Sequence, residues 1–194
     1  MSRRAEQVDH TRQRIVEAAV ELHGTVGPAA ASIAAIAERA GVTRLTVYRH
    51  FPDDAALFGA CSAHWISGKT LPDPDLWAAV DEPGKRLIIG LEDLYRYYRD
   101  GEPMLTNIYR DRASLPAAHR AGLDARDEHF RDVLLAPFDR PARQRRLLRA
   151  LVGHAVSFWT WRSLCIDHGL PNASAAQAMA ALVLAHAGEK QRAD

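Results

Sequence analysis

The sequence predicts an all-α protein, with an N-terminal three-helix helix-turn-helix unit followed by a larger helical unit. Three observations carry this expectation. No window shows sustained alternation of apolar and polar residues, so no strand is expected. Apolar residues recur at i, i+3, i+4 and i+7 along most of the 194 residues. Glycine and proline punctuate these stretches at helix ends, as at Gly27-Pro28, Gly101 and Gly169–Pro171.

Taken in order, the first helix is expected from about Asp9 to Val26, with Ile15, Ala18, Ala19, Leu22 and Val26 on one face. In Ala31–Phe51, Ser32 can cap a short helix by accepting a bond from an unpaired N–H. Ile33, Ile36, Ala37 and Ala40 form its apolar stripe. Gly41 stands where the chain must turn, and Thr43 can cap a second short helix, Arg44 to His50. Asp53 and Asp54 open a further helix, with acids where the helix dipole favours them, running to about Ser67. Gly68–Pro74, with two prolines and a glycine, is the clearest break and divides domains expected at 1–67 and 68–194. Beyond it, helices are expected over Asp75–Val80, Pro83–Arg99, Pro103–Arg112 and Pro116–Leu135. A long helix follows, capped by Asp139 or Arg140 and continuing to about Asp167, and a last one spans Asn172–Ala187.

Composition narrows the function classes. Net charge is +1, so any nucleic-acid surface is local rather than global. The two cysteines, Cys61 and Cys165, form no CxxC and suggest a cytoplasmic protein with reduced thiols. The charged N-terminus has no apolar run behind it, so no secretory signal is expected, and no stretch is long and apolar enough for a membrane span. The nine histidines include no HxxxH or HExxH, so no metal site is expected. No nucleophile–base set or phosphate-cradling glycine loop suggests an enzyme or a cofactor. The basic run Arg140, Arg143, Arg145, Arg146 and Arg149 reads as a solvated helix face.

The helix Arg44–His50 carries Arg44, Thr46, Tyr48, Arg49 and His50 and no acid. Arg44, near its start, is the side chain type most often bidentate to a guanine edge. Thr46 can approach a thymine methyl or donate to a phosphate, and Tyr48 and His50 can donate to backbone oxygens. Spacing alone favours a helical hairpin whose polar residues are merely solvated.

The segment Thr11–Phe58 resembles the DNA-binding domain of the TetR family of bacterial transcriptional regulators. The matching residues are RIVEAAVEL at Arg14–Leu22, Gly27, and IAERAGVTRLTVYRHF at Ile36–Phe51, followed by an acidic helix start and Leu57. The resemblance implies a recognition helix over Thr43–Arg49. It implies DNA contact by Ser32, Thr43, Arg44, Leu45, Thr46, Tyr48, Arg49 and His50, with Ser32 on a phosphate. Two positions depart from the family pattern. His23 stands where phenylalanine is usual, and Leu45 where a small residue is common; Leu45 either packs sideways or touches a base methyl.

For the rest of the chain the resemblance implies an effector-binding and dimerisation domain. Helices 139–167 and 172–187 would form a homodimer's four-helix bundle. Trp77, Tyr95, Tyr98, Met104, Tyr109, Phe130, Phe158 and Trp159 would as a group line a pocket suited to an apolar or aromatic effector, although for any single one core filling is the stronger reading. The implied function is a transcriptional repressor released from a palindromic DNA operator by a small molecule. The rival is a helical ligand-binding protein or enzyme that has lost DNA binding.

Overall fold

The computed structural model describes residues 3–139 and 141–188, so Arg140 of the expected cap and basic run lies outside the described residues. Among the described residues the chain is helical with no strand. The helices are α1 (Arg3–Thr25), α2 (Ile33–Ala40), α3 (Arg44–His50), α4 (Asp54–Ser67), α5 (Pro74–Ala78), α6 (Pro83–Asp100), α7 (Glu102–Arg110), α8 (Ala117–Leu135), α9 (Ala142–Ala155), α10 (Phe158–Arg162) and α11 (Asn172–Gly188). A 3₁₀ turn spans Arg112–Ser114 and a π-type turn Ser163–Asp167. Helix α1 begins at Arg3 rather than near Asp9, because its polar start contains no glycine or proline to stop it.

The chain separates into two compact units: residues 1–70 with 101–122, and residues 71–100 with 123–194. The first therefore includes α7, which the linear division at residue 67 assigns to the second domain. The physical reason is Asn107 of α7, whose side-chain amide donates to the carbonyls of His23 at 3.0 Å and Gly24 at 2.9 Å. These belong to the last turn of α1, where carbonyls have no partner within the helix. The core of this unit joins Ile15 and Ala19 of α1, Ile36 and Ala40 of α2, Val47 of α3, Phe51, and Leu57 and Cys61 of α4.

In the second unit α6 is central. Leu87, Leu91, Leu94, Tyr95 and Tyr98 are buried on it, and α11, which packs against it and against α9, buries Ala175, Ala176, Ala180 and Val183. Three of those four are alanines, which let the two backbones approach closely. Arg86 is buried at the end of α5, donating to the carbonyls of Ala78 at 2.9 Å, Val80 at 2.7 Å and Val133 at 3.2 Å.

The long helix expected over 139–167 is not continuous. It ends at Ala155, restarts at Phe158 and finishes in the π-type turn. The hydroxyls of Tyr95 and Tyr98 donate to the carbonyls of Ala155 and Val156, each at 2.7 Å. The break leaves those carbonyls without helical partners, and α6 supplies them.

Candidate nucleic-acid interface

The helix-turn-helix is built from its caps outward. Ser32 is extended and its Oγ accepts the N–H of Ala35 at 3.2 Å, starting α2. Gly41 ends α2 at φ 64°, the left-handed conformation that glycine adopts at least cost. The N–H of Val42 returns to Ala37 O at 2.9 Å and that of Gly41 to Glu38 O at 3.0 Å. Thr43 then opens α3, its Oγ1 accepting the N–H of Thr46 at 3.2 Å and lying 3.0 Å from the Thr46 hydroxyl.

Side chains that the sequence reading did not single out hold this turn in place. The Arg14 guanidinium donates to the carbonyl of Ala40, tying α1 to the end of α2. Arg12 lies over the Phe51 ring, 4.9 Å from its centre, beyond the end of α3. Arg39 of α2 pairs with Glu21 of α1. Position relative to the stripe was the available signal: Arg12 and Arg14 flank Ile15 on α1, at the rim of the buried face.

Helix α3 turns Val47 inward, 1% exposed, and sends the remaining side chains outward. Arg44 and Arg49 are exposed, Tyr48 is half exposed, and Thr46 and His50 are partly covered. Among the described residues Arg44 and Arg49 have no ion-pair or hydrogen-bond partner. Leu45 is 70% exposed, which rules out sideways packing. The sequence-predicted set Ser32, Thr43, Arg44, Leu45, Thr46, Tyr48, Arg49 and His50 thus falls on one short helix, its cap, and the cap of the helix before it.

Behind this face His23 is buried against Phe58, ring centres 5.2 Å apart, with its Nδ1 3.4 Å from Cys61 Sγ. Burial lowers the His23 pKa to about 4 and pushes the Cys61 thiol up to about 12. Both are therefore neutral at neutral pH, and Cys61 is a core thiol whose Sγ also approaches the Phe58 carbonyl at 3.2 Å.

The residues expected to line an effector pocket are divided between the two units. Met104 and Tyr109 lie on α7 in the first, each partly buried. Trp77, Tyr95, Tyr98, Phe130 and Phe158 are buried in the second, and Trp159 is 45% exposed. The buried rings touch one another: Trp77 and Phe130 have centres 5.1 Å apart, and Tyr98 and Phe158 meet edge to face at 5.3 Å. Among the described residues no group of three or more His, Cys, Asp or Glu is gathered as metal ligands, and no helix is long and apolar enough to cross a membrane.

A short helix bearing two unpaired arginines, locked by caps and by α1 over a shared core, defines the class: a helix-turn-helix protein with a second helical unit. Residues 15–61 match the profile of bacterial regulatory proteins of the tetR family, which bears out the resemblance carried by Thr11–Phe58. Residues 15–61 are thus similar to the N-terminal domain of that family, and the fold of the chain is similar to that of solved TetR-family transcriptional regulators. Similar solved structures include a tetR-family transcriptional regulator from Streptomyces coelicolor, 20% identical over 94% of this chain and 83% of that one, with a TM-score of 0.62. PfmR from Thermus thermophilus is 21% identical, covering 89% and 97% of the two chains with a TM-score of 0.59. NalD, the secondary repressor of the MexAB-OprM multidrug efflux pump in Pseudomonas aeruginosa, is 20% identical over 93% and 97%, with a TM-score of 0.60. No curated relative matches the chain.

Proposed function

We propose that this chain is a sequence-specific repressor that binds a palindromic operator as a homodimer and leaves it when a small-molecule effector binds the second unit. The observation that carries the DNA reading is the exposed, unpartnered pair Arg44 and Arg49 on a helix whose backbone is fixed at both ends. Uncompensated cations on a rigid helix are what phosphates and guanine edges require. NalD, a protein of similar fold, is a repressor, which supports the sign of the regulation. The aromatic side chains of α6, α8 and α10 support an apolar or aromatic effector, admitted by rearrangement of rings now in contact.

The test is a gel shift of the full chain against the DNA upstream of its own coding region. Wild type should form a discrete complex that weakens steeply with salt, because each neutralised phosphate releases counterions. Arg44→Ala should lose about tenfold or more, as expected for a guanine contact worth about 1–3 kcal/mol. Tyr48→Ala should lose less, and at all sequences alike. Equal binding by wild type and the doubly substituted protein would falsify the repressor reading.

A further inference from the structure

The N-terminal unit contains a cleft bordered by two of the residues proposed to contact DNA, Ser32 and Tyr48. Two hollows, about 290 Å³ and about 570 Å³, lie side by side, with Asp54, Ser114 and Pro116 lining both. The first is floored by Ile33, Ile36 and Phe58. The second runs past Pro52 to Tyr48. Each hollow is of the order of size that holds a small organic molecule.

The charge of this cleft is one-sided. Asp53 and Asp54 line it, and no lysine or arginine does. Asp53 is already engaged, its Oδ1 accepting the N–H of Ala56 at 2.7 Å as the cap of α4. Asp54 has no hydrogen-bond or ion-pair partner among the described residues. Two carboxylates, one of them occupied as a cap, beside an apolar floor repel anions and supply too few ligands for a metal ion. This lining complements a molecule with a flat apolar body and one positive nitrogen.

We propose that this cleft binds an amphipathic organic cation, with its amine at Asp54 and its apolar body on Phe58 and Pro116. It is distinct from any effector site among the aromatics of the second unit. Ser32 lines the first hollow and Tyr48 the second, so, resting on the DNA reading above, an occupant lies beside groups that DNA also needs. Cation and operator therefore compete.

The probe is 2-naphthylmethylammonium, with 2-naphthylmethanol and 2-naphthoate as neutral and anionic counterparts, titrated into the isotopically labelled full chain without DNA. Saturable NMR shifts are expected at the Ile33 and Ile36 methyls and the Phe58 ring, strongest for the ammonium and weakest for the carboxylate. Asp54→Asn should weaken the ammonium about fivefold or more and leave the alcohol unchanged. Ser114→Trp, at a residue lining both hollows, should abolish the shifts for both. Absence of saturable shifts, no preference for positive charge, or indifference to both substitutions overturns the proposal. A gel shift of Asp54→Asn without probe separates the two claims. If DNA is bound, the probe should displace wild type more readily than the variant, and failure to do so removes the competition. If no DNA is bound by either protein, the DNA reading fails while the NMR result stands.

Discussion

His23 fills a core position with a side chain that can titrate. The resemblance already marks the position as one where phenylalanine is usual, and the structure shows what the substitution entails: an imidazole packed on Phe58 and Cys61, kept neutral by burial. Its pKa falls from 6.5 to about 4 on folding, so the unfolded chain holds the extra proton between those values. Stability from this group is complete above pH 6.5 and is lost as pH falls from 6.5 towards 4, by up to about 3 kcal/mol. His23→Phe should remove that loss. Urea midpoints for the two proteins should diverge between pH 7 and pH 4.5, the variant falling less; parallel curves would show that His23 is protonated without unfolding. Leu45 is the second residue-scale departure. Sequence left it between packing and DNA, because periodicity on a helix this short does not separate a rim position from an outward one. Its 70% exposure removes the packing alternative, and contact with a base methyl is the role we propose for it. Leu45→Ala should relax preference at one base pair and leave the salt slope unchanged, since it removes an apolar contact and no phosphate contact. Arg49→Ala should reduce the slope instead. Both are read by competition among operator variants at two salt concentrations.

At the scale of elements, legibility followed how local the determinants are. Helices α2 to α4 were readable because Ser32, Gly41, Thr43 and Asp53 each act within a few residues of themselves. The break after Ala155 was not readable. The stretch HAVSFWTW contains neither proline nor glycine, and Gly153 lies inside α9 rather than at its end. The interruption is stabilised from a different helix by two tyrosine hydroxyls nearly sixty residues upstream, Tyr95 to Ala155 and Tyr98 to Val156. The same two rings were read as pocket lining, and the structure gives them this second occupation. Each hydroxyl satisfies a buried carbonyl, so Tyr95→Phe and Tyr98→Phe should each destabilise by about 1–3 kcal/mol. The double variant should allow α9 and α10 to shift towards one continuous helix. Chemical denaturation gives the energies, and hydrogen exchange of the Ser157–Trp161 amides reports the break; unchanged exchange in the double variant would assign the interruption to packing alone. The membership of α7 was hidden for a related reason: Asn107 binds carbonyls of α1, a relation that no pattern within α7 encodes.

For the whole molecule, net charge and recognition-helix length argue together for a paired state. A chain of net charge +1 has little general attraction for DNA, and one seven-residue helix reaches only a few base pairs. Binding through two linked copies multiplies what one copy achieves, since the second contact forms at high effective concentration. The second unit offers a surface for this purpose: α9 leaves Leu147 and α11 leaves Leu182 each 46% exposed, and these helices pack side by side. In a two-fold dimer such a patch meets itself, so a charge placed there opposes its own copy. Leu182→Glu should therefore convert a micromolar dimer into a monomer by sedimentation, with helical content by circular dichroism unchanged because Leu182 lies outside the core. Operator binding should fall far more than any single α3 substitution produces, while the cleft at Asp54, wholly within the N-terminal unit, should bind its cation as before. A variant that stays dimeric would move the interface away from α11, and a wild-type monomer that still binds a palindrome would remove the need for one.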